Sequence, residues 1–385
     1  MYHIIFLIVL LTAIFEQFIK LNKNIISFIY GLLLCFLVFR YGQGSDYFSY
    51  LSLIDTDAAN FEVSMFFNNG YISFSNEIGF TFISFFWVKI LNLSPELLIA
   101  VISGISFILV YKFIKKYSER PLLSLFIFYC VFYLIYPFSA IRQTICISVF
   151  VYYMTPLLYQ RKYVKYYIIG LLLFTIHYSS IILFIIPIVN IIKTIKLHQV
   201  YILSFFCLII GITLNYYLNS FFSIIDIVKE KIDYYPSTTI DIKSLILRII
   251  LFFLILQTYK YNEKDSIKGL FLRIYILGFF LYLLLLANSL ISSRLNVYMR
   301  YYEVILLVDY IIFMKKKRNL PVLHYLYVVL IMTVIYIKNI DSFIDQGSYN
   351  ENITVYNYPY ISVFDKESIL GVRYIPTYYM QYFNN

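Results

Sequence analysis

The sequence predicts an all-α protein, a polytopic membrane helix bundle of about 10–13 apolar segments. Three observations predict it. Of the 385 residues, 61% are hydrophobic and only 14% charged, where soluble domains carry about a quarter charged residues; the mean hydropathy is +0.78. Apolar runs repeatedly reach the roughly 17–25 residues that cross a hydrocarbon core as helix, and only 12 Gly and 9 Pro interrupt them. A run such as Leu270 to Ile291 shows none of the period-two alternation that a transmembrane barrel needs. A soluble enzyme, a secreted disulfide scaffold and a nucleic-acid binder are all excluded.

The elements follow from the apolar runs and the polar residues that close them. Tyr2 to Phe18 lacks a basic leader and a small-residue cleavage site, so it reads as a retained span. Lys20 and Lys23 separate it from a second span, Ile25 to Phe39. Arg40 to Asn76 is rich in Gly, Asp, Asn and Ser and reads as a loop with a short interfacial helix. Ile78 to Leu93 and Leu97 to Ile114 follow, closed by Lys115, Lys116 and Arg120. Leu122 to Tyr136 and Phe138 to Leu158 are separated by Pro137 and end at Arg161, Lys162 and Lys165. Tyr166 to Ile192 is broken by His177, Ser179 and Ser180. Tyr201 to Phe222, Leu245 to Gln257, Leu270 to Ile291, Leu295 to Met314 and Val322 to Ile337 complete the bundle. Residues 1–337 are thus read as an integral membrane helical domain with extracytoplasmic loops 40–76 and 226–243. Residues 338–385 are read as a polar, Tyr- and Asn-rich extracytoplasmic tail.

The net charge of +10 and pI of about 9.1 come from short inter-helix clusters such as Lys315, Lys316, Lys317 and Arg318, the pattern of cytoplasmic loops under the positive-inside rule. Cys35, Cys130, Cys146 and Cys207 lie in apolar runs without metal-ligand spacing and read as small buried hydrophobes. If all basic clusters face the cytoplasm, two intervals break simple alternation. Two runs lie between loop 40–76 and Lys115 where an odd number of crossings is required, so one is re-entrant, interfacial or part of a bent helix. The run between Lys165 and Lys193 is basic at both ends, which a re-entrant hairpin near His177 resolves.

Some polar residues within or beside the apolar runs need a reason, because an Arg or Asp at a helix centre costs about 2.5–3.5 kcal/mol on insertion. Arg40, Asp46, Glu77, Arg142, His177 and Arg294 fall near one face by the parity argument, the extracytoplasmic one. Arg142 follows Pro137 between two runs, where its guanidinium can grip phosphate oxygens bidentately or simply snorkel. His177 can accept a proton from a sugar hydroxyl, hold a phosphate when protonated, or bridge helices. Asp46 can orient a hydroxyl or pair with Arg40. Arg294 and Arg300 bracket Tyr298; Arg294 is the better placed for a ligand, and Arg300 serves structure. Arg248 and Arg273 read as partners of helix-terminal carbonyls or lipid headgroups. No His/Asp cluster has metal spacing, so neither a metal nor a cofactor is expected.

The ordered set Arg40 with Gly44 and Asp46, Asn76-Glu77-Ile78-Gly79-Phe80, Ile141-Arg142-Gln143, His177 with Ser179, and Ser293-Arg294-Leu295 with Tyr298 resembles the EpsG family of Wzy-like polysaccharide polymerases. The resemblance spans roughly residues 35 to 310. It implies a multi-pass protein of the bacterial cytoplasmic membrane that builds a capsule, exopolysaccharide or O-antigen. Such an enzyme transfers a growing glycan from an undecaprenyl-pyrophosphate carrier to a lipid-linked repeat unit at the outer face, with a chain-length regulator and a flippase as pathway partners. His177 and Asp46 would then be the catalytic candidates. Arg142, Arg294 and Arg40, with Glu77, Arg300 and Tyr298, would be the pyrophosphate and sugar contacts. A lipid-linked oligosaccharide flippase, favoured by internal repeats that are not evident here, and a ligase-like transferase on the same carrier are the competing readings.

Overall fold

Long runs of Leu, Ile, Phe and Val close their own backbone hydrogen bonds as helix, which is what a hydrocarbon environment demands. The computed structural model of the protein is accordingly an all-α bundle. It describes residues 1–19, 22–61, 67–68, 71–72, 77–190, 196–222, 241–259, 266–286, 288–317, 321–347, 349–375 and 380. Most of the expected loop 226–243 therefore lies outside the described residues. The chain forms two compact units, Met1–Tyr153 with Ile168–Tyr178 and Val322–Asn385, and Met154–Tyr167 with Ser179–Pro321.

In the first unit, α1 (Tyr2–Phe18), α2 (Lys23–Val38), α3 (Tyr47–Ala59), α4 (Ile78–Phe85), α5 (Pro95–Tyr117), α6 (Pro121–Phe128) and α7 (Ile141–Val149) follow in order. The short helix expected within loop 40–76 is α3. Between α3 and α4, Phe67 pairs with Ile72 and Asn68 with Tyr71 in a small antiparallel ladder. A π-helical turn, Phe150–Met154, carries α7 on into α8 (Thr155–Tyr159). Next come α9 (Tyr163–Ile176), α10 (Leu197–Phe222), α11 (Ile242–Leu256), α12 (Ile267–Leu284), α13 (Ser289–Arg300), α14 (Glu303–Lys317) and α15 (Pro321–Gln346). Among the described residues, four helices are long and apolar enough to cross a membrane: Pro95–Tyr117, Ile141–Tyr159, Ile267–Leu284 and Val322–Gln346. Local chemistry sets their ends. Ser94 accepts from the Leu97 N–H and Pro95 opens α5, while Lys115 and Lys116 complement the negative end of its dipole.

Both parity breaks have a structural answer. The helix Ile78–Phe85 continues only through a π turn to Ile90, about 20 Å at 1.5 Å per residue, short of the roughly 30 Å hydrocarbon core. The backbone turns at Asn92, φ 54°, and α5, with 23 residues, is long and apolar enough to cross. The 14 residues of α9 are equally short, at about 21 Å, and give way at His177 to 3₁₀ turns over Tyr178–Phe184 and Ile186–Asn190. Those turns fold back: Tyr166 Oη donates to the Leu183 carbonyl at 2.8 Å, and the Tyr167 ring stacks on Phe184. The break near His177 is a helical hairpin.

Two expectations change. The last long helix continues past Ile337 to Gln346; its Asn339 side chain donates to the Cys130 carbonyl at 2.8 Å, so this polar residue is held inside the helical packing. Cys130 and Cys146 are buried as expected, whereas Cys35 sits on an exposed face of α2.

The first helix also secures the start of α6. Both Glu16 carboxylate oxygens accept from that helix, from the N–H groups of Leu122 at 3.2 Å and Leu123 at 2.9 Å, doing from a distant segment what an N-cap residue does locally. Glu16→Ala should lose about 1 kcal/mol, read as a fall of about 2 °C in the thermal midpoint of the detergent-solubilised protein. An unchanged midpoint would show that α6 does not depend on this cap.

Candidate active site

Glu77 is the N-terminal flanking residue of α4, yet its side chain makes no bond to its own helix. It turns instead to two other segments. Its Oε2 accepts from Arg142 Nη1 at 2.5 Å, and its Oε1 meets His177 Nδ1 at 2.8 Å and accepts from the Tyr178 N–H at 3.1 Å. Arg142 lies in the first turn of α7, after the Pro137 turn has redirected the chain. His177 is the residue at which α9 stops, its N–H closing the last helical turn on the Leu173 carbonyl at 2.9 Å. All belong to the first unit.

The cluster sits at the edge of the packed interior, with the Glu77 side chain 11% exposed, His177 15% and Arg142 25%. The Arg142 guanidinium carbon lies 5.3 Å from the ring centroids of both Tyr50 and Phe80, within cation–π range. Its Nε is buried without a hydrogen-bond partner among the described residues. Burial alone would raise the Glu77 carboxyl, but the His177 hydrogen bond and charge, Arg142 and the Tyr178 N–H together hold it below the usual carboxylate range. An ionised carboxylate only accepts, so His177 Nδ1 carries the proton, and a neutral His177 presents a bare Nε2.

Two features of α3 and α4 shape the surroundings. Thr81, one turn beyond Glu77 on α4, donates to Asp57 Oδ2 at 3.2 Å. Burial pushes the Asp57 carboxyl up despite that bond and Arg142, and Glu77 pushes it the same way. Gly79 lets α4 touch the end of α9: a Cβ there would overlap Thr175 Oγ1 and lie 3.0 Å from the Thr175 carbonyl carbon. Asp57, Thr81 and Tyr50 are neighbours of the site that the sequence reading passed over. The available signal was the seven-residue spacing of Tyr50 and Asp57, which puts both on one face of a helix.

The structure separates the remaining candidates. Arg40 is 2% exposed; its Nη1 donates to the Leu37 carbonyl at 2.6 Å, and its Nη2 to Ser103 Oγ and to the Pro137 and Phe138 carbonyls at 3.1–3.2 Å. With three backbone carbonyls among its partners, the buried guanidinium fastens a loop, and its Nε is buried without a hydrogen-bond partner among the described residues. Asp46 does not pair with it. Half-buried at the start of α3, Asp46 makes no side-chain cap bond. Glu77, expected among the substrate contacts, is the link between Arg142 and His177.

Arg294, Tyr298 and Arg300 belong to the second unit. Arg294 is exposed on α13. The Tyr298 hydroxyl is buried against Ser179 Oγ at 2.9 Å. Arg300 forks the buried Glu303 carboxylate through Nε and Nη2 at 3.1 and 3.2 Å, the structural pairing that was one of its two expected roles. Arg248, read as a partner of carbonyls or lipid, stacks 3.8 Å from the Tyr282 ring centroid.

The acid stability of this cluster follows in sign from Glu77. Its folded value is depressed, so its contribution is complete above the unfolded carboxyl value of about 4.3 and is lost as pH falls through the lower folded value. The thermal midpoint should therefore drop between about pH 5 and pH 3, and Glu77→Gln should flatten that limb. Parallel curves for the two proteins would show that Glu77 titrates alike in the folded and unfolded chains.

Among known proteins, the model of the EpsG family matches residues 23–360, a range that contains Glu77, Arg142, His177 and the three second-unit candidates. No curated protein and no solved structure matches the chain. With a match that takes in nearly every described helix, the chain belongs to the EpsG family, a family of Wzy-like polysaccharide polymerases.

Proposed function

We propose that the protein polymerises a bacterial surface polysaccharide at the outer face of the cytoplasmic membrane, transferring a growing glycan from undecaprenyl pyrophosphate to a lipid-linked repeat unit. The observation that carries the reading is the single Glu77 carboxylate joining a fixed cation, Arg142, to an oriented imidazole, His177. In the transfer, the acceptor sugar hydroxyl attacks the anomeric carbon of the donor glycan. The bond from that carbon to the pyrophosphate oxygen breaks, and undecaprenyl pyrophosphate leaves with the electron pair.

His177 Nε2 takes the hydroxyl proton, with Glu77 holding the ring through Nδ1 and stabilising the imidazolium that forms. Arg142, with a quarter of its side chain exposed, meets the charge that develops on the leaving phosphate. Asp46, half-exposed one turn before Tyr50, is proposed to orient the acceptor sugar. Arg294, on α13 of the second unit, is proposed as an anion contact on the strength of its place in the resemblance. No nucleotide takes part, because the pyrophosphate carrier already supplies the leaving group.

The direct test is purified protein with an undecaprenyl-pyrophosphate-linked repeat unit. Chain growth with release of the carrier supports polymerisation; a single transfer to another acceptor points to a ligase, and movement across vesicles without a new glycosidic bond to a transporter. In this assay His177→Ala should slow chain growth by about 10²–10⁴-fold at unchanged membrane abundance; wild-type chain growth would remove His177 from the chemistry. Arg142→Lys keeps the charge but loses the fork, and should slow turnover by about 10²-fold. Full activity in that variant would make Arg142 a structural cation.

A further inference from the structure

We propose that the segment Tyr349–Ile375 is an intramolecular strap and that its Arg373 is a positioning residue for Arg142. The inference rests on the reading of Arg142 as a substrate contact. The segment follows α15 and pairs with the chain that leaves α2: the Tyr41 N–H donates to the Ile361 carbonyl and the Val363 N–H to the Phe39 carbonyl, both at 2.9 Å. Arg373 is buried. Its Nη1 donates to the carbonyls of Gly42 at 2.7 Å and Gly44 at 2.8 Å, and its Nη2 to that of Ser45 at 2.8 Å. Among the described residues no carboxylate pairs with it. A buried guanidinium whose partners are three carbonyls of one loop fixes the path of that loop, because without the cation the Gly42 and Ser45 carbonyls lose their charged donor and the Gly44 carbonyl keeps only the Tyr47 N–H at 3.3 Å.

The loop in turn holds the turn that starts α7. Gly44 takes φ +110°, and a Cβ there would overlap the Phe138 carbonyl oxygen, so loop and turn are in direct contact. The Ser45 N–H donates to Ser139 Oγ at 3.3 Å, and Arg40 donates to the Pro137 and Phe138 carbonyls. From Ser139 the chain enters the first turn of α7, with the Ile141 N–H on the Ser139 carbonyl at 3.1 Å and Arg142 next. The strap thus grips one side of loop 40–45 while the other side grips the base of Arg142. The family match ends at residue 360, so both the 361–363 pairing and Arg373 lie beyond it.

The experiment uses the full chain with the lipid-linked repeat unit, comparing wild type, Arg373→Ala, Arg373→Lys and His177→Ala. Exchange of backbone amides in 40–46 is followed by mass spectrometry. Arg373→Ala should lower kcat by about ten- to a hundredfold with little change in KM, and speed amide exchange in 40–46. Arg373→Lys, which still donates to carbonyls, should recover part of both and serves if the alanine variant fails to fold. Wild-type kcat in a folded Arg373 variant, or a loss matched by the unfolded fraction alone, would overturn the strap. An inactive His177→Ala beside a fully active Arg373→Ala would reject the strap and leave the active site standing. An active His177→Ala beside a depressed Arg373→Ala would reject the site reading instead.

Discussion

One carboxylate organises this half of the protein. A nearly buried Glu77 would cost several kcal/mol if left alone, and it is satisfied only when the first turn of α7, the end of α9 and the residue after it arrive at the same point. That requirement explains why the two segments too short to cross the bilayer, Ile78–Ile90 and Tyr163–Ile176, end beside each other. It also explains the absence of a side chain at position 79, where the approach to Thr175 leaves no room for one. The ring faces of Tyr50 and Phe80 complete the arrangement by giving the guanidinium an apolar but electron-rich wall.

Four arginines show how little residue type alone decides. Arg40 and Arg373 are buried against backbone carbonyls and act as fasteners. Arg300 is bound in a fork to a buried carboxylate beside it in the chain. Arg142 shares its carboxylate with an imidazole and keeps a quarter of its side chain exposed. Only this last combination leaves a cation both fixed in place and open to a ligand. The cost of putting arginine in an apolar chain marks all four as purposeful, and the partners tell what the purpose is.

This is also the line between what the amino-acid sequence disclosed and what it withheld. Apolar runs and their basic closures located the helices, and counting sides pointed to a hairpin near His177 and to one irregular run of the two between loop 40–76 and Lys115. Arg142 and His177 stood out because expensive groups in apolar surroundings need a reason. Their partner Glu77 was seen, but its role was not, since the contacts span 65 and 100 residues. The setting of Arg40 was hidden for a similar reason: four acceptors, two of them almost a hundred residues away, cannot be counted from a one-dimensional string. Asp57 looked like an ordinary loop charge, and the tail looked merely polar because its pairing partners lie more than 300 residues upstream.

The distance between the strap and its loop has a consequence in time. Gln43 waits for the Pro359 carbonyl, its acceptor 316 residues later; at synthesis rates of about 5–20 residues per second, that is a delay of about 15–60 s. Throughout that interval the membrane helices can insert and pack and the loop behind Arg142 has its bonds to Tyr2, Pro137, Phe138 and Ser139, but not those of the strap. Nascent or prematurely terminated chains would thus carry every element of the cluster but not the strap's hold on the loop behind it.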